Sequence, residues 1–316
     1  MTRKEEVIKA IEFKSPDYIP RWFINKDQMK GDIANYWLFP LGKGEKTEWG
    51  YEWITTNLDN GTMGIPKNPT IPTWGSLKKY KFPDPWSDKK YKDINKFKLE
   101  AGDRYQIASL GITGFNNYTF LRGFENALID FKLERRKATN LLKRLFEIEN
   151  KVILSTKKYG FDGIMFYDDW GMQKNLIISP ELWREIFKPF YMEQFELVHK
   201  QGYKVWFHSC GDITEIIPDF YEIGVDVMNM GQPNVVDLDY ISGVLKGKQC
   251  FLMPISYQTV SIKGTPEDIK NEARRLYSKL GSKKGGLIGW IEEYSSVGMP
   301  ERNYQACTTA FNNIMD

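Results

Sequence analysis

Two histidines and three cysteines are all that this chain of 316 residues carries. Cysteines at 210, 250 and 307 cannot make a disulfide framework, so they are read as reduced thiols or as ligands. No uninterrupted apolar run approaches the ~20 residues that cross a bilayer. The first residues, MTRKEEVIKAIEF, are charged and helix-like where a signal peptide has an apolar core. There is no long block of one charge sign. With 44 basic and 41 acidic side chains the net charge is +3, which gives nucleic acid no electrostatic footing. The basic clusters KLERRK and KKYK read as solvated faces. There is no internal repeat, no Gly/Ser linker and no glycine-rich first crossover. These absences point to a cytoplasmic, soluble protein with one domain over residues 1–316.

What is present is an alternation. YQIASLGI, FDGIMFYDD, YKVWFHS, VDVMNM, QCFLMPI and GGLIGWI read as strands. Between them lie segments with helical spacing, such as Leu141, Leu142, Leu145, Ile148 and Val152. Ser179 and Pro180 open one helix as N-cap and first residue, and Pro189 is expected to kink it. Gly160 sits where a helix C-cap belongs. Strands and helices in strict alternation imply parallel pairing by right-handed crossovers. The expected fold is α/β, a (β/α)8 barrel; a doubly wound sheet is the runner-up. The first hundred residues read as irregular, with a short strand from about Ile19, a proline-dense loop at PKNPTIPTWGSLKKYKFPDPWSD and a helix from Ile94 to Tyr105.

One histidine and one cysteine fall together, as His208 and Cys210 in KVWFHSCGD. Side chains alternate along a strand, so the two face the same way, at the end where barrel active sites form. Imidazole and thiolate are good zinc ligands. Cys250 begins its strand and belongs near the opposite end; Cys307 lies in the last helix, and both read as small buried hydrophobes. A further metal ligand would come from another strand end, with Glu292 and Glu293 after GGLIGWI as candidates; alone they read as solvated loop acids. Tyr167, Asp168, Asp169, Trp170 and Gln173 follow another strand. The two aspartates could bind a cation, a substrate amine or a ring nitrogen, or cap the next helix. Tyr257 and Gln258 would add to the same face.

The segment HSCGDITEIIPDFYEIGVDVMNMGQP resembles the uroporphyrinogen decarboxylase superfamily, in its zinc- and corrinoid-dependent methyltransferase branch. SPDYIPRWF, FLRGFENALIDF, YDDWGMQKNLIISPELWREIFKPFY and GTPEDI are similar to its other landmarks, in order, over nearly the whole chain. The resemblance implies a (β/α)8 barrel with its site at the C-terminal mouth. Decarboxylases proper carry an Arg-Gln-Ala-Gly-Arg type segment after the first strand to grip substrate carboxylates. This chain reads RWFINKDQMKGD there, which argues against porphyrinogen decarboxylation. In the methyltransferase branch zinc is bound by His-x-Cys and a later cysteine at the last strand end. His208 and Cys210 match the first two, and Glu293 stands at about the register of the third.

The resemblance therefore implies zinc on His208, Cys210 and Glu293 or Glu292, with methyl transfer between a small methylated substrate, or a thiol acceptor, and a corrinoid such as methylcobalamin. Asp168 and Asp169 would be catalytic, and Trp170, Gln173, Tyr257 and Gln258 would hold the substrate. Neither histidine has an aspartate two residues before it, so the corrinoid is expected on a separate protein or free in solution. Two other readings stay open: a metal-free decarboxylase or lyase, and a non-catalytic small-molecule-binding barrel.

Overall fold

The computed structural model describes residues 1–24, 26–39, 46–55, 64–84, 91–312, 314 and 315. The strands are β1 (Arg21–Ile24), β2 (Ile33–Trp37), β3 (Glu52–Thr55), β4 (Gly64–Lys67), β5 (Tyr105–Ile112), β6 (Gly163–Tyr167), β7 (Lys204–Ser209), β8 (Val227–Met230), β9 (Cys250–Pro254) and β10 (Leu287–Glu292). Eight of them form one sheet in the order β1-β10-β9-β8-β7-β6-β5-β2, and every pairing in it is parallel. β3 and β4 form a separate antiparallel hairpin. The two ends of the order meet through Asp32. Its N–H donates to the Arg21 carbonyl at 2.8 Å, and its carboxylate accepts from the Arg21 N–H at 2.7 Å. The sheet is thus a nearly closed (β/α)8 barrel.

Both faces of a parallel barrel strand are buried, so each strand carries two apolar files. One file fills the lumen: Trp22, Ile107, Met165, Trp206, Leu252, Ile288 and Trp290 belong to it. Trp22 packs its ring against Trp206 at 6.0 Å and Trp290 at 5.3 Å. The other file, with Ile164, Phe166, Phe207, Phe251 and Ile291, packs on the surrounding helices. The N-terminal end of the lumen is closed by the helix Arg3–Ile11, which begins in a Thr2–Glu5 capping box and buries Val7, Ala10 and Ile11 among the lumen residues. Cys250 belongs to that lumen group, at the first position of β9. Cys307 lies in the outer core, where burial pushes its thiol up to about 12.

Local chemistry sets most element ends as expected. The Ser179 hydroxyl caps the helix Pro180–Ile186, and the chain breaks at Phe187 before resuming as Lys188–Lys200. Pro189 causes that break, since it cannot donate to the preceding turn. Gly160 takes φ 61° at the end of its helix. Three expectations need correction. The helix from Ile94 ends at Ala101, where Gly102 takes φ 59°, and Tyr105 already belongs to β5. The first hundred residues supply a second barrel strand, Ile33–Trp37. Within the proline-dense segment Trp74–Leu77 forms one helical turn; its residues 85–88 lie outside the described residues.

The helix Gly114–Arg122, which the sequence pattern does not announce, borders the mouth of the barrel. Its last residue, Arg122, is buried, with its guanidinium forked onto Asp130 at 2.7 and 3.1 Å and stacked over Trp74 at 4.2 Å. Tyr118 donates to the same carboxylate at 3.0 Å. Both partners of the pair are only 4% exposed. Removing one charge strands the other in the interior, so Arg122→Met is expected to cost about 3–5 kcal/mol in urea unfolding. Arg122→Met/Asp130→Leu should recover most of that loss.

Candidate functional site

Parallel pairing puts the C-terminal ends of all eight barrel strands at one mouth, and five of them converge there. His208, the last but one residue of β7, is in register with Tyr167 on β6 and Asn229 on β8. It lies on the same file as Trp206, two residues below, so its ring faces the lumen. Cys210, two residues further, follows the same file. Asp169 continues the file of Met165 and Tyr167 from β6.

These three side chains meet. His208 Nε2 lies 3.4 Å from Cys210 Sγ and 3.5 Å from Asp169 Oδ1. One donor atom from each lies within 4.8 Å of the other two, making the one such trio of candidate metal ligands among the described residues. Zinc–ligand lengths at tetrahedral angles place N and S, or N and O, roughly 3.3–3.6 Å apart. The spacings observed match those edges. Asp169 is further held by the Cys210 N–H, which donates to Oδ1 at 2.8 Å. Burial pushes the Cys210 thiol well up, and the negative charges of Asp169 and Glu292 push it further. A thiol so placed needs a neighbouring cation to ionise. Donor chemistry and geometry both fit zinc.

Glycines make the room. A methyl group at Gly231, after β8, would sit 2.9 Å from Cys210 Sγ and 3.0 Å from the His208 ring. Gly211 takes φ 79°, and its missing methyl group would lie 2.1 Å from the Gly171 carbonyl carbon. Backbone therefore touches backbone where the segments after β6 and β7 cross. Hydrogen bonds from Gly171 N–H to the Cys210 carbonyl (3.1 Å) and from Asp212 N–H to the Met172 carbonyl (2.7 Å) tie the crossing.

The adjacent acids of each strand end part company. Glu292 follows Ile288 and Trp290 on the lumen file, and its carboxylate accepts from Trp290 Nε1 (2.9 Å) and the Tyr294 hydroxyl (2.7 Å). Glu293 turns the other way, accepting from the Ser295 N–H at 2.6 Å in the company of Lys26 and Tyr304. Tyr257 stacks on Tyr294 at 4.9 Å, and its hydroxyl accepts from Gln232. Gln232 in turn accepts from the Gly211 N–H at 2.8 Å and lies 3.5 Å from the Gln173 amide. Gln258 is turned toward Asn234, at 2.9 Å. Trp170 is wholly buried on the helix side, stacked 4.4 Å from Phe115.

Residues 57–311, well over half of the chain, match the family model of uroporphyrinogen decarboxylase (URO-D). The chain belongs to that family. Among curated proteins no sequence matches it. Among solved structures, a methyltransferase from Methanosarcina mazei superposes over 100% of both chains with a TM-score of 0.76 at 12% identity. A psychrophilic family 10 endo-β-1,4-xylanase reaches 0.46 at 11% identity, over 98% of this chain and 99% of its own. The likeness to the methyltransferase extends over the whole chain and, at 12% identity, is a likeness of fold.

In this uroporphyrinogen decarboxylase family member, Asp168 does structural work at the edge of the site. Its oxygens accept from the N–H groups of Phe115 (2.8 Å) and Asn116 (2.7 Å) and from the Tyr191 hydroxyl. It thereby caps Gly114–Arg122, where helix-end donors and dipole favour an anion. Glu149 takes the neighbouring Gly114 N–H at 3.0 Å and the Gln194 amide at 3.1 Å. Both acids are fully buried, and burial pushes both upward, Glu149 to about 7. Below its ordinary value of 4.5, Glu149 is protonated in folded and unfolded chains alike. Between there and about 7 only the unfolded chain is ionised, so stability falls as pH rises through that window and then levels. At ~1.4 kcal/mol per unit the fall is about 3 kcal/mol. Urea unfolding between pH 5 and 8 should show it, and Glu149→Gln should remove Glu149's share of the fall while leaving that of Asp168.

Proposed function

We propose that the protein is a zinc-dependent methyltransferase that exchanges a methyl group between a small methylated compound and a corrinoid carried by a separate protein. The trio of Asp169, His208 and Cys210 is the observation that carries this reading. Family membership, and the likeness to the Methanosarcina mazei methyltransferase, are consistent with it. In this reading Asp169 takes the place of the third ligand, for which the family resemblance offers Glu293 or Glu292.

Asp169, His208 and Cys210 would hold zinc and leave a position for substrate, where the metal would supply Lewis acidity to a substrate heteroatom. The chain's own residues do the rest. One thiolate and one carboxylate leave the site harder than a two-thiolate site, which favours an oxygen- or nitrogen-bearing methyl donor over a thiol acceptor. Glu292, held by Trp290 and Tyr294, presents a fixed acceptor to a hydroxyl or amine hydrogen beside that position. The Tyr257–Tyr294 stack and Trp290 give the donor apolar faces and exclude water. Asp168 positions the segment that carries Asp169.

The side chains around the trio also speak against a polycarboxylate substrate. Among the described residues named at the mouth, Lys26 is drawn to Glu301 at 3.0 Å, and Tyr167, Gln173, Gln232, Tyr257, Trp290, Glu292 and Tyr294 are aromatic, amide or acidic. Carboxylates placed beside Asp169 and Glu292 would meet like charge. The experiment is to measure zinc content and then cob(I)alamin methylation with methanol, methoxyarenes, methylamines and methyl thioethers as donors. Stoichiometric zinc with methyl transfer from an oxygen or nitrogen donor supports the reading. A metal-free protein that releases carbon dioxide from a carboxylic acid substrate would replace it with the decarboxylase reading.

A further inference from the structure

We infer that Asn229 is a positioning residue that sets the His208 ring in the one tautomer able to bind metal through Nε2; this rests on the zinc reading above. A neutral imidazole carries one proton, and the nitrogen without it is the ligand. His208 Nε2 faces Cys210 and Asp169. Its other nitrogen, Nδ1, meets Asn229 Oδ1. An amide oxygen can only accept, so Nδ1 must hold the proton and Nε2 must offer its lone pair to the trio.

Which way the amide points is decided by β9. Asn229 Nδ2 lies 2.6 Å from the Leu252 carbonyl oxygen. The reverse orientation would set two oxygens at that distance and an N–H donor against Nδ1. Leu252, Asn229 and His208 stand directly opposite one another in the ladders of β9, β8 and β7. The polarity therefore runs in one direction across three strands, from a backbone carbonyl through the amide to the ring. Asn229 is 1% exposed, so water does not compete for either end. In water a free imidazole prefers the proton on the other nitrogen; the relay reverses that preference before metal arrives. Outer partners of this kind typically raise metal affinity 10–100-fold.

The test uses the chain's scarcity of histidine. With only His199 and His208 present, a 15N-histidine sample gives two ring systems, and His199→Gln assigns them. In the metal-free parent, His208 should show a protonated, pyrrole-like Nδ1 and a pyridine-like Nε2. Asn229→Leu should release the ring to the opposite tautomer and weaken zinc binding 10–100-fold in chelator competition. Asn229→Asp keeps an acceptor toward Nδ1 while losing the donor to Leu252. It should retain the tautomer and bind zinc at least ten times more tightly than Asn229→Leu. A parent ring protonated on Nε2, or equal zinc loss in both variants, would overturn the inference. A parent that shows the Nδ1 tautomer but takes up no zinc would instead overturn the zinc reading and leave the relay standing.

Discussion

Cys210→Ser is expected to cut both metal binding and methyl transfer severely. The serine hydroxyl is a poor ligand at neutral pH, and it leaves zinc with one nitrogen and one oxygen donor. Zinc affinity should fall by more than about 100-fold, beyond what loss of an outer partner costs. Methyl transfer should fall by about 10^3-fold, corresponding to the several kcal/mol that a Lewis acid supplies. Cys250→Ser and Cys307→Ser are the controls. One thiol belongs to the lumen group at the closed end of the barrel and the other to the outer core, so zinc should stay at parent stoichiometry. The readout is bound zinc after dialysis, with circular dichroism to establish that the barrel persists. Full zinc in Cys210→Ser would remove the thiol from the site.

Gly211→Ala should damage the site without touching a ligand. At φ 79° an alanine carries backbone strain, and its methyl group would fall 2.1 Å from the Gly171 carbonyl carbon. Neither backbone can yield by rotating a side chain. Left-handed strain and overpacking together should cost about 3–5 kcal/mol. The segments it forces apart carry Asp169 on one side and Cys210 on the other, so their distance to His208 should open and zinc should be lost. Thermal unfolding and zinc content check both effects. Gly160→Ala is the comparison: it has a similar positive φ of 61° with nothing within 4 Å, so it should show strain alone and keep its zinc. Equal behaviour of the two variants would mean that the crossing of the two segments is not what holds the site.

The parts of this site that the sequence discloses, and the parts it hides, reflect the burial of barrel strands on both faces. His208 and Cys210 share a side whichever way their strand faces, so the period of two suffices for them. Asp168 and Asp169 are adjacent and must face opposite ways, but Ile164 and Phe166 are as apolar as Met165 and Tyr167. Nothing in the pattern tells lumen from helix side, so which acid joins the histidine is not written there. The same holds for Glu292 and Glu293, which follow two equally apolar files. The strand Ile33–Trp37 is obscured by its length and by Asn35, whose polar side chain bonds the Ser109 hydroxyl at 2.6 Å. The helix Gly114–Arg122 is rich in Gly, Asn and Thr; its start is held by Asp168, a contact distant in sequence, and its end by the Arg122–Asp130 pair with the next helix. Asn229 carries a readable signal after the fact. It is the one polar residue in VMNM, the strand β8 that neighbours the one bearing His208.

Binding of one zinc ion by Asp169, His208 and Cys210 at the mouth of the barrel is the centre of this account. An anomalous difference map recorded on both sides of the zinc edge, from crystals of the protein purified without chelator, tests it most directly. One strong peak is expected within bonding distance of Asp169 Oδ1, His208 Nε2 and Cys210 Sγ, absent in Cys210→Ser crystals. A peak ligated instead by Glu292 or Glu293 without Asp169, or no peak at the mouth after soaking with zinc, would contradict it.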